Sequence, residues 1–126
     1  MSGNEASGNL GKQLPAQFYV SITGLRVRSF LYVLTFWRHA IASKIQSEKA
    51  AGILHSDVKR INGIQHTLTA WESREAMKKF IYSGPHAQAI RVFRKIATGK
   101  TFGFEASKLP SWDEVHSLWK EQGKDY

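Results

Sequence analysis

Histidine carries most of the chemical potential of this chain. There are five histidines and no cysteines, so thiolate nucleophiles, disulfides and cysteine metal sites are excluded. His86 opens a segment, Pro85 to Ala97, whose apolar residues Ala89, Ile90, Val92, Phe93 and Ile96 recur at helical spacing. Position 86 lies three and four residues before Ala89 and Ile90, which places it at the head of the buried side. The positive end of the helix macrodipole opposes a further positive charge there and favours the neutral imidazole. A neutral, inward ring at a cavity edge can act as a base, or ligate a metal or haem iron. It can equally cap or pack and do nothing more.

His66 is the second candidate. Ile64, His66, Leu68 and Ala70 share one face of a strand-like run. If Asn62-Gly63 is a two-residue turn, Lys59 falls opposite His66 and Asp57 opposite Leu68, with His55 further along the same face. Such a mixture reads either as a cleft wall with polar groups or as an edge strand whose charges meet water. His39 and His116 read as surface or boundary residues. Trp71, ending that strand, and Trp37, on the first helical segment, read as core residues that could also stack on a ligand.

Other chemistry lacks a site. The sequence has no Gly-rich phosphate loop, HExxH, paired carboxylates or Gly-x-Ser-x-Gly elbow, which leaves hydrolase, kinase and nucleotide-cofactor readings without residues. Acidic side chains are too few and scattered for a hard-cation cage. The net charge of +8 raises nucleic-acid binding, but the basic residues are dispersed and suit the wet side of helices, so no nucleic-acid partner is expected. No apolar run approaches the roughly 20 residues that span a bilayer, and no membrane partner is expected either. A cytoplasmic protein follows as the default.

The elements that must hold these residues can be read in order. Residues 1–15 are rich in Gly, Ser and Asn and read as a flexible tail; residues 16–126 read as one domain with a C-terminal helix. Phe18, Val20 and Ile22 alternate with Tyr19, Ser21 and Thr23 as in a half-buried strand ended by Gly24. Ser29 reads as an N-cap for a helix to about Lys49, with Phe30, Leu34, Trp37, Ile41 and Ile45 as its apolar stripe and Gly52 as its stop. Asn62-Gly63 between two strand-like runs predicts a type I′ hairpin. Ser73 caps a short helix, Ser83-Gly84-Pro85 breaks it, and the helix headed by His86 follows. Lys100 to Ala106 reads as the last strand and Trp112 to Glu121 as a terminal helix. The order is that of a ferredoxin-like βαββαβ domain of the α+β class, a four-stranded antiparallel sheet with helices on one side. Its other face would be bare, which predicts a second copy against it.

With these segments in order, the chain resembles the antibiotic-biosynthesis-monooxygenase superfamily of dimeric α+β barrels, nearest the uncharacterised domains around spheroidene monooxygenase. The resemblance runs from about Phe18 to Trp119 and is carried by FYVSITGLRVRSF, INGIQHTLTAWES and FIYSGPHAQAIRVFRKIATGKTFGFE. It implies a homodimer packed sheet to sheet and a ligand cleft between each sheet and its own helices. It matches Trp71 to a tryptophan ending the third strand and His86 to a histidine following the Ser-x-x element. It implies haem in some members, with His86 as the metal ligand only if haem iron is bound, and cofactor-free oxidation of polycyclic aromatics in others. No Asn-Trp-His set of the haem-degrading branch is present. The function expected is a small-molecule monooxygenase or haem-associated oxidase with an apolar cleft, catalysed by His86 and His66, with Trp71 and Trp37 beside His86 at the cofactor. A dimeric, non-catalytic binding module for an apolar metabolite is the alternative.

Overall fold

The structure is a computed structural model and describes residues 14–126; the expected tail lies almost wholly outside the described residues. Strand β1 (Phe18–Val27) is followed by a 3-10 turn (Phe30–Tyr32) and helix α1 (Val33–Glu48), then by strands β2 (Ile53–Ile61) and β3 (Ile64–Trp71). Helices α2 (Arg74–Ile81) and α3 (Gly84–Ile96) lead into β4 (Ala97–Ala106), α4 (Trp112–Gln122) and a two-residue strand β5 (Lys124–Asp125). The sheet is antiparallel in the order β2-β3-β1-β4-β5. This is the α+β, ferredoxin-like arrangement, with a short fifth strand added to the expected four.

Local chemistry accounts for most boundaries. Asn62 and Gly63 both adopt positive φ (52° and 79°), the requirement of a type I′ turn, and the hairpin pairs Lys59 with His66 and Asp57 with Leu68. Ser73 accepts a hydrogen bond from the Ala76 amide and caps α2. Ser29 caps only the 3-10 turn, through the Leu31 amide, so α1 proper begins at Val33.

Three expectations fail for identifiable reasons. Gly24 does not end β1 but sits within it, because the Trp119 indole occupies the space over it; a Cβ there would come within 2.5 Å of Trp119 Nε1. The second concerns α1. Its larger apolar stripe faces outward, with Leu34 86% and Ile41 55% exposed, whereas Phe36, Ser43 and Ser47 are the buried residues. Small hydroxylated side chains at the contact let α1 lie close to the sheet, and the Ser47 hydroxyl bonds Ser56 of β2 at 2.7 Å.

The third is the sheet face expected to be bare. Helix α4 lies on it. Val115 is fully buried against Phe18, Val20, Ile22, Leu68 and Ala70, with Trp112, Leu118 and Trp119 packed around them. A capping box, in which Ser111 and Glu114 exchange side-chain-to-backbone hydrogen bonds, starts the helix. The deduction of a second copy from an uncovered face therefore loses its premise. Helices α1 to α3 cover the opposite face.

Candidate functional site

Between the sheet and the layer of α1, α2 and α3 lies an open cavity of about 850 Å³, within the ~300–1,000 Å³ span usual for small-molecule sites. Strand alternation builds its floor from hydroxyls: Ser21, Thr23, Thr67, Thr69 and Thr101 all point to this side, while Val20, Ile22 and Leu68 point away. Its roof is apolar and includes Phe36, Trp37 and Ala40 of α1, Met77 and Phe80 of α2, and Ile90 and Phe93 of α3.

Much of the floor is satisfied internally. Thr23 and Thr67 hydroxyls bond each other. Thr101 Oγ1 donates to the Ile22 carbonyl at 3.1 Å, and Thr69 Oγ1 accepts from Trp71 Nε1 at 2.9 Å. Among the described residues, Ser43 Oγ is the buried side-chain polar atom without a partner, and Ser43 lines the cavity. Arg74, Arg91, Arg94, Lys124 and Lys44, the last paired with Glu48, also line it, against Asp57 and Asp125, so the walls favour an electron-rich or anionic guest.

His86 reaches this cavity. Its backbone amide donates to Gln46 Oε1 at 2.7 Å, and its ring lies 4.5 Å from the Phe80 ring. Nδ1 is 3.3 Å from the Ile81 carbonyl. A carbonyl only accepts, so Nδ1 carries the proton and Nε2 keeps a lone pair that no group among the described residues engages. Burial lowers the pKa of His86 below the ordinary histidine value, and the Ile81 bond offsets this in part. The ring is thus neutral near pH 7.

His66 lies elsewhere. It is among the residues lining the cavity, but its ring packs on the α4 side, 5.0 Å from the Trp119 ring. The sheet lies between the rings of His66 and His86. His66 Nδ1 donates to the Thr23 carbonyl at 3.0 Å, so Nε2 accepts, from His116 Nδ1 at 2.8 Å. His116 Nε2 then accepts from Asn62 Nδ2 at 3.4 Å. His116, read from the sequence as a surface or boundary residue, is half-buried and completes this chain of bonds. Burial lowers the His66 pKa, the Thr23 carbonyl opposes, and His116 adds to the lowering.

The tryptophans also part company. Trp71 is fully buried under Phe80 and is not among the residues lining the cavity; it packs the core. Trp37 is 39% exposed and does line it. Of the remaining candidates, His55 is buried opposite Ala70 next to a β-bulge, and Lys59 is exposed on the edge strand.

Sequence reasoning missed Tyr126. Its amide donates to the Gly99 carbonyl at 2.9 Å, and its phenol lines the cavity with the pKa pushed up to about 12 by burial, Arg94 pulling the other way. It is a protonated donor toward the end of α3 remote from His86, since Arg94 lies eight residues along that helix, or ~12 Å. An aromatic in the last residue carries no periodicity that could have pointed to it. Ser43 was equally hidden, because a serine on a helix ordinarily signals the wet side.

No family model matches the chain, and no curated protein matches it. Solved structures do. An antibiotic biosynthesis monooxygenase candidate from Nitrosomonas europaea aligns at TM-score 0.63 and 13% identity over 78% of this chain and 96% of its own. SnoaB, a cofactor-independent oxygenase from Streptomyces nogalater, aligns at 0.62 and 13% over 76% of this chain and 100% of its own. A conserved protein of unknown function from Bacteroides thetaiotaomicron aligns at 0.63 and 16% over 73% and 100%. At these identities the likeness is one of architecture: the chain has the fold of the antibiotic biosynthesis monooxygenase-like proteins.

Proposed function

We propose that the chain is a monooxygenase acting on a small aromatic molecule held in the 850 Å³ cavity, with His86 Nε2 as general base. One observation carries the reading: an inward, neutral imidazole has one nitrogen fixed by the Ile81 carbonyl and the other free at the cavity wall. The fold shared with a cofactor-independent oxygenase supports it.

The chemistry follows from that base. Without a cofactor, the electrons that reduce dioxygen come from the substrate, which must become an electron-rich anion. His86 takes the proton from an activated C–H or O–H, and the cationic side chains around the cavity hold the anion. For an activated CH2 group, oxidation to C=O consumes one dioxygen and releases one water. The apolar roof covers the anion on one side, and the Tyr126 phenol and Ser43 hydroxyl are donors for oxygen substituents on the ring.

The test is oxygen uptake over a panel of polyhydroxylated aromatics. His86→Gln should lower the turnover rate by ~10²–10⁴-fold while leaving ligand affinity within a few-fold. Unchanged turnover in that variant overturns the assignment, and ligand binding without oxygen uptake in the wild type leaves a binding module.

The same tautomer supports a second reading. An imidazole whose Nδ1–H is held by a carbonyl presents Nε2 as a metal ligand, and arginines line the cavity that holds it. The residues present therefore fit haem, which would supply redox chemistry at its iron. Haemin titration followed at the Soret band, with His86→Ala as control, decides this: the same band in both proteins removes His86 as the ligand.

A further inference from the structure

We propose that the outward stripe of the 3-10 turn and α1 docks on an anionic lipid bilayer, with the cavity mouth turned toward the lipid. Phe30 is 82%, Leu31 74% and Leu34 86% exposed, and the stripe continues through Trp37, Ile41 and Ile45. A contiguous run of large exposed apolar side chains on one helix face marks an interaction surface. Such an exposed face, on a helix whose other side packs on the protein, can lie at a bilayer interface with its aromatic and aliphatic residues inserted and basic residues at headgroup level.

Charge selects the occupant. Helices α1, α2 and α3 together carry eight lysines and arginines against two glutamates. Helix α4, on the other side of the sheet, carries one lysine against three acids. The positive charge is therefore concentrated on the layer that bears the stripe, and Arg38 stands one turn from both Leu34 and Ile41 on the same face. Anionic headgroups complement such a layer. A second copy of this chain would oppose it with an equally positive layer, and a nucleic acid has no use for Phe30 and Leu34. No helix among the described residues is long and apolar enough to cross a membrane, so the geometry is that of a molecule lying on the surface. The sequence-based expectation of no membrane partner rested on the lack of an apolar run of roughly 20 residues, a test for spanning a bilayer and not for lying on one.

The stripe is also continuous with the site. Trp37, Ile41, Ile45 and Tyr82 are exposed and at the same time line the cavity. A ligand dissolved in the bilayer thus reaches the cavity without crossing water. That clause rests on the cavity being the ligand site; the docking does not, and its test involves no turnover.

The experiment is sedimentation of the full chain with vesicles of phosphatidylcholine alone and of phosphatidylcholine with phosphatidylglycerol, over rising salt. Binding to the anionic vesicles that weakens with salt is expected. The double variant Phe30→Glu, Leu34→Glu should lower partitioning at least ~10-fold, since each side chain loses its apolar transfer energy. Both residues are exposed, so a thermal melt like that of the wild type is expected. A charge-reversed variant, Arg38→Glu with Lys95→Glu, should weaken anionic binding without touching the stripe. No binding to anionic vesicles, or binding indifferent to both variants, overturns the proposal. So does a wild-type dimer that ignores vesicles and becomes monomeric in the Glu variant, which would identify a second copy as the occupant.

Discussion

The two faces of the sheet are built by opposite rules. On the α4 side, apolar residues fill the space and the polar atoms of the His66–His116–Trp119 cluster are bonded: Trp119 Nε1 donates to the carbonyls of Gly24 and Lys100, both at 3.1 Å. On the other side a floor of hydroxyls faces an apolar roof across open space, with Ser43 Oγ unpaired and His86 Nε2 free. Both faces bury a histidine and both lower its pKa. Burial therefore does not separate the two histidines. What distinguishes them is the remaining lone pair, engaged in His66 and available in His86.

The largest expected effect comes from exchanging the same residue type on the two faces. Trp119→Ala removes the indole that fills the space over Gly24, its two carbonyl bonds and its contacts with His66 and His116. A loss of about 3 kcal/mol is expected by urea denaturation. Trp37→Ala, at the cavity mouth, should cost under ~1 kcal/mol. Similar costs for both would mean that the two faces are packed alike and that the contrast is unfounded.

That contrast was only partly legible in the sequence. Strand alternation, the Asn62-Gly63 turn and the Ser73 cap are local devices, and the hairpin register they imply is the observed one. The inward position of His86 also followed, because helical period and first-turn placement agree there. Whether a periodic stripe faces protein or solvent is not a local property. Helix α1 carries one stripe of large apolar residues and another of small ones, and only the fit against β2 selects Ser43 and Ser47 for burial. Likewise, which sheet face meets α4 depends on how the chain runs after Pro110, so the separation of His66 from His86 could not be read from strand alternation alone.

A smaller effect sharpens the comparison through pH. The unfolded chain binds protons on histidine near 6.5, whereas the folded chain holds His66, His86 and His55 below that value, chiefly by burial. These groups contribute stability that is complete above about 6.5 and is lost as pH falls, because protons then bind the unfolded state preferentially. The melting temperature should drop as pH falls through and below about 6.5. His66→Gln should flatten that dependence and leave the pH profile of cavity-ligand binding unchanged, while His86→Gln alters both. A His66 variant that shifts the ligand profile would show that the faces communicate.

The smallest effects concern two serines one helical turn apart. Ser47 Oγ donates to the Lys44 carbonyl at 2.7 Å and so must accept from Ser56, whose side chain is buried. Ser47→Ala strands that Ser56 donor and should cost ~1–2 kcal/mol. Ser43→Ala removes a buried hydroxyl that has no protein partner, so stability should be unchanged or rise by up to ~1 kcal/mol. If Ser43 Oγ is reserved for a ligand, the same variant should weaken binding of a hydroxylated aromatic by ~5–10-fold, roughly one hydrogen bond. Stability and affinity then move in opposite directions at one atom. Moving together, both falling, they would show that Ser43 belongs to the packing of α1 and that the cavity recognises its guest without it.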